Sequence, residues 1–249
     1  MVEVVVEVGV VVGVAVGVEV GVVVAVGVVM SRVAVTAIFQ GYERPKAPPP
    51  GVDRAILLTD TSGDDRWETI VRQDHGIGPR RLFFTAKLTP HIAVADCDDV
   101  LWIDGSMEPK ETCELDALFA EVPPGGVGVY QHHGRDGYWA EAEFSAAVYG
   151  PGGGQDRGKL AMDQARHYDR HGCPRLGMVW ATGIIVWRGA QRRLGERWLA
   201  EVMSWSASDQ VALPWLAHLG HTVTTLDGDV YVNRHFHFVG HGQAGRTTR

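Results

Sequence analysis

The chain is poor in the residues that build several common functional classes. It has only three cysteines, Cys97, Cys113 and Cys173, and no CxxC pair. An odd, widely spaced set excludes a disulfide framework, and it fits incidental thiols in a reducing, cytoplasmic compartment. Positive charge is also short: 23 Lys and Arg against 30 Asp and Glu give a formal net charge of -7. Nucleic-acid binding needs a basic surface to neutralise phosphates, so no nucleic-acid partner is expected, although a local pocket for one small phosphate stays open. HExxH, GxSxG, the P-loop and a strand-linked GxGxxG are all absent. Zincin, serine-hydrolase, nucleotide-triphosphatase and dinucleotide readings lose their usual support with them.

What is present begins with an oddity. Residues 1–29 are almost all Val and Gly, broken by Glu3, Glu7 and Glu19. The length suits a membrane span, but the glutamates, the glycines and the lack of basic flanks argue against one. No basic region and no clear cleavage site mark a signal peptide. Val, Gly, Ala and Glu share codons that begin with G, so a G-rich repeat ahead of the gene explains the composition. Met30 then reads as the natural start, with a working domain over residues 30–249. An apolar anchor, which would associate the protein with a membrane, is the minority alternative.

From Met30 onward strands alternate with helices. Residues 32–39, 54–60 and 67–72 read as strands, 80–95 as a helix kinked at Pro90, and 100–104 as a strand. Helices are expected over 111–120, 141–148, 159–171, 190–204 and 208–219. Further strands are expected at 126–130 and within 176–188, with 149–158 a loop between them. The pattern predicts one α/β domain with a mainly parallel central sheet flanked by helices. Ligands of such sheets sit at the carboxyl ends of the strands, which gives Asp60, Asp104 and His132 one shared edge.

Five groups of residues carry candidate chemistry, each with a plainer alternative. Asp104 ends the apolar run VLWI and is followed by Gly105 and Ser106. It suits a hard metal such as Mg²⁺ or Mn²⁺, or merely opens a turn. His132, His133, Arg135, Asp136 and Glu141 crowd one strand–helix junction. There Arg135 can hold a phosphate with Glu141 orienting it, or the group is a surface ion-pair cluster. Lys87 and His91, four apart, would share a helical face aimed at a diphosphate, or one that is merely solvated. Ser206 or Ser208 can cap a helix that Asp209 opens; Asp209 is then a base, an acceptor-binding acid or part of the cap. In the tail, alternation puts His235 and His237 on one face, with His241 nearby, where a histidine could complete a metal site with Asp104.

The order of these elements resembles the glycosyltransferase-like domains of the plant mucilage-related and turgor-regulation-defect proteins. The blocks that carry the resemblance are VTAIFQGYE (35–43), ILLTD (56–60), KLTPHIAVADCDDVLWIDGSM (87–107), HHGRDGYWAEA (132–142), YDRHGCPRLG (168–177) and WSASDQVAL (205–213). The resemblance implies a GT-A-like domain that takes a nucleotide-sugar donor and a carbohydrate, lipid or protein acceptor. It implies a divalent metal, Mn²⁺ or Mg²⁺, at Asp104, a site that His237 of the tail would complete. Thr36, Tyr42, Asp60, Lys87, His91, His132, Arg135, Asp136 and Gln210 would bind nucleotide or substrate, and Asp209 and Glu141 would be catalytic. Three positions depart from the family pattern. Gly137 stands for its Cys, Ser208 for its Arg, and Ser106 for the second acid of a DxD motif. Asp209 would act as general base if the sugar inverts, and as a binding group if it does not. A non-catalytic sugar- or nucleotide-binding module is the alternative, and a metal-dependent hydrolase a weaker third.

Overall fold

In the computed structural model, the described residues are 8–9, 25–26, 31–73, 75–94, 97, 99–148, 157–189, 192–205 and 208–240. Ser206, His241 and most of the expected loop at 149–158 lie outside them. The chain divides into two compact units, Met1–Met30 and Ser31–Arg249. In the first, β1 (Val8–Gly9) pairs antiparallel with β2 (Ala25–Val26).

The second unit is built on seven strands. These are β3 (Arg32–Ile38), β4 (Arg54–Thr59), β5 (Glu68–Val71), β6 (Asp99–Ile103), β8 (Val127–Gln131), β9 (Trp180–Arg188) and β10 (Val223–Asp229), in the order β10-β8-β9-β6-β3-β4-β5. All pairings are parallel except the two made by β9, which runs against both β6 and β8. The sheet is therefore mainly parallel, as the alternating elements predict. β6 (DVLWI) is buried at every position and β3 at every position after Arg32, as expected of central strands covered on both faces.

One face is covered by α1 (Pro79–Leu88), α6 (Arg192–Ser204) and α7 (Asp209–His218). Phe84, Leu88, Trp198 and Leu213 pack there on Val33, Val35, Trp102 and Trp187. Gly195 lets α6 cross α1 closely, because a Cβ there would strike the Leu88 carbonyl. The other face carries α3 (Leu115–Ala120) and a small ribbon of β7 (Met107–Pro109) with β11 (Phe236–Phe238), through Leu118, Phe119, Met107 and Phe236. At one flank α4 (Gly137–Val148), α5 (Arg157–Arg170) and α7 share a third core of Tyr138, Tyr168, Val211 and Trp215.

Several expectations are corrected. The helix over 80–95 is two: α1 stops at Leu88, Thr89 leaves the helical region at φ -128° and ψ 56°, and Pro90 opens the short α2 (Pro90–Ala93). Proline disfavours helical backbone in the residue before it, so the chain breaks there instead of kinking. The helix expected over 111–120 keeps only its second half, since Lys110 and the residues after it are drawn to the tail through the Lys110 N–H to the His235 carbonyl at 2.9 Å. The three thiols are free, and burial pushes Cys113 and Cys173 up to about 11. Among the described residues no helix is long and apolar enough to cross a membrane.

Candidate active site

The carboxyl ends of β3, β4, β6 and β8 share one edge of the sheet, because β9 reverses direction between β6 and β8. Asp104 follows β6 directly. Its N–H donates to the Gly183 carbonyl at 2.8 Å, which ties the turn to β9. Behind it, Lys87 comes from the last turn of α1 and Asp209 from the first turn of α7. A cation at a helix C-terminus and an anion at a helix N-terminus are each favoured by the helix dipole, so the two helix ends attract the charges they carry.

These side chains close on one another. The Lys87 ammonium is 2.8 Å from Asp209 Oδ2 and 3.2 Å from Asp104 Oδ1, and it donates to Thr182 Oγ1 at 3.2 Å. Thr182 in turn donates to Asp209 Oδ2 at 2.6 Å, and the Gln210 N–H donates to Asp209 Oδ1 at 3.1 Å. Trp102, wholly buried, donates its indole N–H to Asp104 Oδ1 at 2.6 Å. Lys87 is only 2% exposed, and all three of its N–H groups have an acceptor.

The electrostatics follow from this geometry. Burial pulls the Lys87 ammonium down, but Asp104 and Asp209 together hold it above its usual value. Burial works against Asp209 too, yet Lys87, Thr182 and the nearby Arg80 keep its carboxyl below the ordinary range. Asp104 goes the other way: burial, with the charge of Asp209, outweighs the pull of Lys87 and Trp102 and raises it. Asp104 is also the most open member, with its side chain 21% exposed against 12% for Asp209 and 3% for Lys87.

A second group sits beyond the end of β8. His132 is buried and shares Nδ1 with its neighbour's carbonyl, His133 O, at 2.8 Å. Burial and Arg135 lower its pKa, so the ring is neutral near pH 7 with the proton on Nδ1. Arg135 Nη1 donates to His132 Nε2 and to Glu141 Oε2, both at 2.6 Å, and the guanidinium lies 3.7 Å from the centre of the Phe144 ring. Glu141, on α4 and 4% exposed, holds Arg135 through this ion pair. An open groove of about 450 Å³ is lined by His132, His133, Arg135, Asp136 and Met178. Asp136 accepts the Gly177 N–H at 3.0 Å and fastens the opposite wall. Gly137 has φ +92°, and a Cβ there would strike the Arg175 carbonyl, so this backbone has no room for a side chain.

Other expected site residues are placed differently. His91 does not share a face with Lys87. The helix break turns it toward Arg192 and Glu196 of α6, and burial and Arg192 lower its pKa. Thr36 is enclosed in the sheet at 3% exposure, two residues short of the end of β3. Asp60 accepts the Gln40 N–H with both oxygens, at 2.9 and 3.0 Å, and so holds Gln40 in its left-handed turn at φ 57°. Tyr42 is 64% exposed on that turn. His235 and His237 do not share a face. β11 begins only at Phe236, His235 is buried with Nδ1 accepting the Glu114 N–H, and His237 is exposed opposite Glu108. Ser208 stands at the cap position of α7 without a side-chain capping bond.

The residues around Asp104 make a poor set for a divalent metal. Both of its oxygens are engaged by cationic or indole N–H donors, and Ser106 is 3% exposed and brings no charge. Among the described residues no three His, Cys, Asp or Glu side chains converge as metal ligands. Thr182 and Trp102 also belong to the cluster, though neither stands in a catalytic motif of the sequence. The signal for Thr182 is the pair Thr182–Gly183 interrupting the apolar run of residues 180–187.

No family model and no curated protein matches the sequence. Among solved structures, mouse xyloside xylosyltransferase 1 in its apo form is similar, at 10% identity and a TM-score of 0.44. The match covers 80% of this chain and 85% of that one.

Proposed function

We propose that the chain is a glycosyltransferase that moves a sugar from a nucleotide-sugar donor to a hydroxyl of a carbohydrate, lipid or protein acceptor. One observation carries the reading. Three blocks that resemble the plant mucilage-related and turgor-regulation-defect domains, though far apart in sequence, are joined at one sheet edge. Lys87 and Asp104 from the first meet Asp209 from the last directly, and α4 of the middle block packs on the helix that Asp209 opens.

Within this reading the roles follow from what each group has left to offer. Carboxylates locked by a buried ammonium are rigid acceptors for sugar hydroxyls, and Asp104 is the more accessible of the two. Arg135, fixed by His132 and Glu141, has two of its five N–H groups spent in those bonds, and the guanidinium lines the groove, where it suits a diphosphate. Asp209 is a weak base: its pKa is lowered and both oxygens already accept hydrogen bonds. We therefore assign it to binding. The bond from the anomeric carbon to the leaving phosphate oxygen breaks, the acceptor oxygen bonds to that carbon from the same face, and the acceptor's proton passes to the leaving phosphate. On this same-face course the configuration is retained. The free thiols fit a reducing compartment.

The test is release of nucleoside diphosphate from a panel of nucleotide sugars and acceptors. Turnover that disappears in a folded Asp104→Asn variant supports the transferase. Tight nucleotide binding with no turnover on any acceptor turns the reading to a binding module.

A further inference from the structure

We infer that Lys87 is the resident cation of this site, so that donor binding requires no divalent metal. The inference rests on the transferase reading above and concerns how its donor site is charged.

A divalent ion at Asp104 would need free oxygen lone pairs, space for further ligands, and no other cation within contact distance. Asp104 offers none of these cleanly. The Lys87 ammonium lies within 3.3 Å of both of its oxygens, and Trp102 takes Oδ1 at 2.6 Å. Lys87 cannot swing aside cheaply. It is 2% exposed, its stem lies within the last turn of α1, and Asp209 and Thr182 hold its other N–H groups. Its ammonium also lies 5.5 Å from the centre of the Phe83 ring, whose negative face favours a cation there. The second acid of a DxD motif is Ser106, and the histidine expected to complete a metal site, His237, is exposed on the ribbon opposite Glu108. The cluster has one cation between two anions, and Lys87 fills the place that a metal would take.

The experiment uses the full chain. Mn²⁺ is titrated alone and with UDP, GDP, ADP, CDP or dTDP, following the spectroscopic signal of free Mn²⁺ and the melting temperature. Nucleotide affinity is measured in EDTA and in Mn²⁺. For the wild type, Mn²⁺ stays free, the melting temperature does not move, and nucleotide affinity differs by less than about twofold between the two conditions. The variant Lys87→Met leaves two carboxylates without their cation, and its melting temperature rises with Mn²⁺, as ligand binding to the folded state requires. Should that variant not fold, the wild-type measurements decide alone. Stoichiometric uptake of Mn²⁺ by the wild type, or a loss of nucleotide affinity of about tenfold or more in EDTA, overturns the inference. No nucleotide binding under either condition sinks the transferase reading instead, while the Mn²⁺ titration still reads the cluster.

Discussion

Lys87→Met is the sharpest perturbation of the fold. Methionine keeps the unbranched apolar stem, so what is lost is the charge, its place over the Phe83 ring and three hydrogen bonds. Removing one partner from a buried ion pair costs about 3–5 kcal/mol, because the remaining charge is stranded. For a unit the size of Ser31–Arg249 that is a fall in melting temperature of about 6–20 °C. The pH dependence separates this cause from lost packing. In the wild type, Asp209 has a folded pKa below its unfolded one. Its contribution is present above the ordinary carboxylate range and lost as pH falls through the folded pKa. Without Lys87 both carboxylates are raised by burial and by each other. The folded variant then holds protons the unfolded chain has released, and it loses stability as pH climbs above about 4. Urea unfolding followed by tryptophan fluorescence at pH 5 and pH 8 should therefore show the larger deficit at pH 8. The triple variant Lys87→Met, Asp104→Asn, Asp209→Asn should regain at least about half of it, since no charge is left unpaired. A deficit below about 1 kcal/mol, or one of equal size at both pH values, would refute the account of the cluster.

Four further outcomes follow. Asp209→Asn should raise KM and leave the pH–rate profile unshifted, whereas loss of a true general base would drop kcat by about 10²–10⁴. Nuclear magnetic resonance of the first-formed product should show the donor's anomeric configuration; an inverted product removes the same-face route. Glu141→Gln frees Arg135 from its 2.6 Å carboxylate contact and should weaken nucleotide binding measured by calorimetry, and unchanged affinity would take Arg135 out of the donor site. Gly137→Ala should destabilise by about 1–3 kcal/mol from its positive φ alone, with the clash against the Arg175 carbonyl in addition, and a melt within error of the wild type would show that this junction yields freely.

Much of this was legible because the responsible forces are local. Apolar β-branched runs announce β3 and β4, and the acid at the end of VLWI lies where a strand must stop. What failed depended on the third dimension. Lys87 and His91 are four apart in sequence, but Thr89 and Pro90 break the helix between them and send them to different neighbours. His235 and His237 obey strand alternation only inside a strand, and β11 starts one residue too late. The bond between Lys87 and Asp209 joins residues that no short-range pattern relates, because it requires α1 to end and α7 to begin at the same point of the sheet edge.

Seen with its partners, Ser106 stops being a defect. The position is 3% exposed and stands two residues after Asp104, whose cluster already holds two carboxylates to one ammonium. A second acid here would add a third buried negative charge, and burial already drives the Asp104 carboxyl upward. Such a charge is sustained only if a divalent ion arrives to balance it. A buried lysine and an acid therefore answer the same electrostatic demand in opposite ways, and a site that keeps Lys87 between its carboxylates has no call for the second. Ser106→Asp is accordingly the change that should make folding of this unit depend on Mn²⁺, with the variant melting below the wild type in EDTA and recovering when the metal is restored.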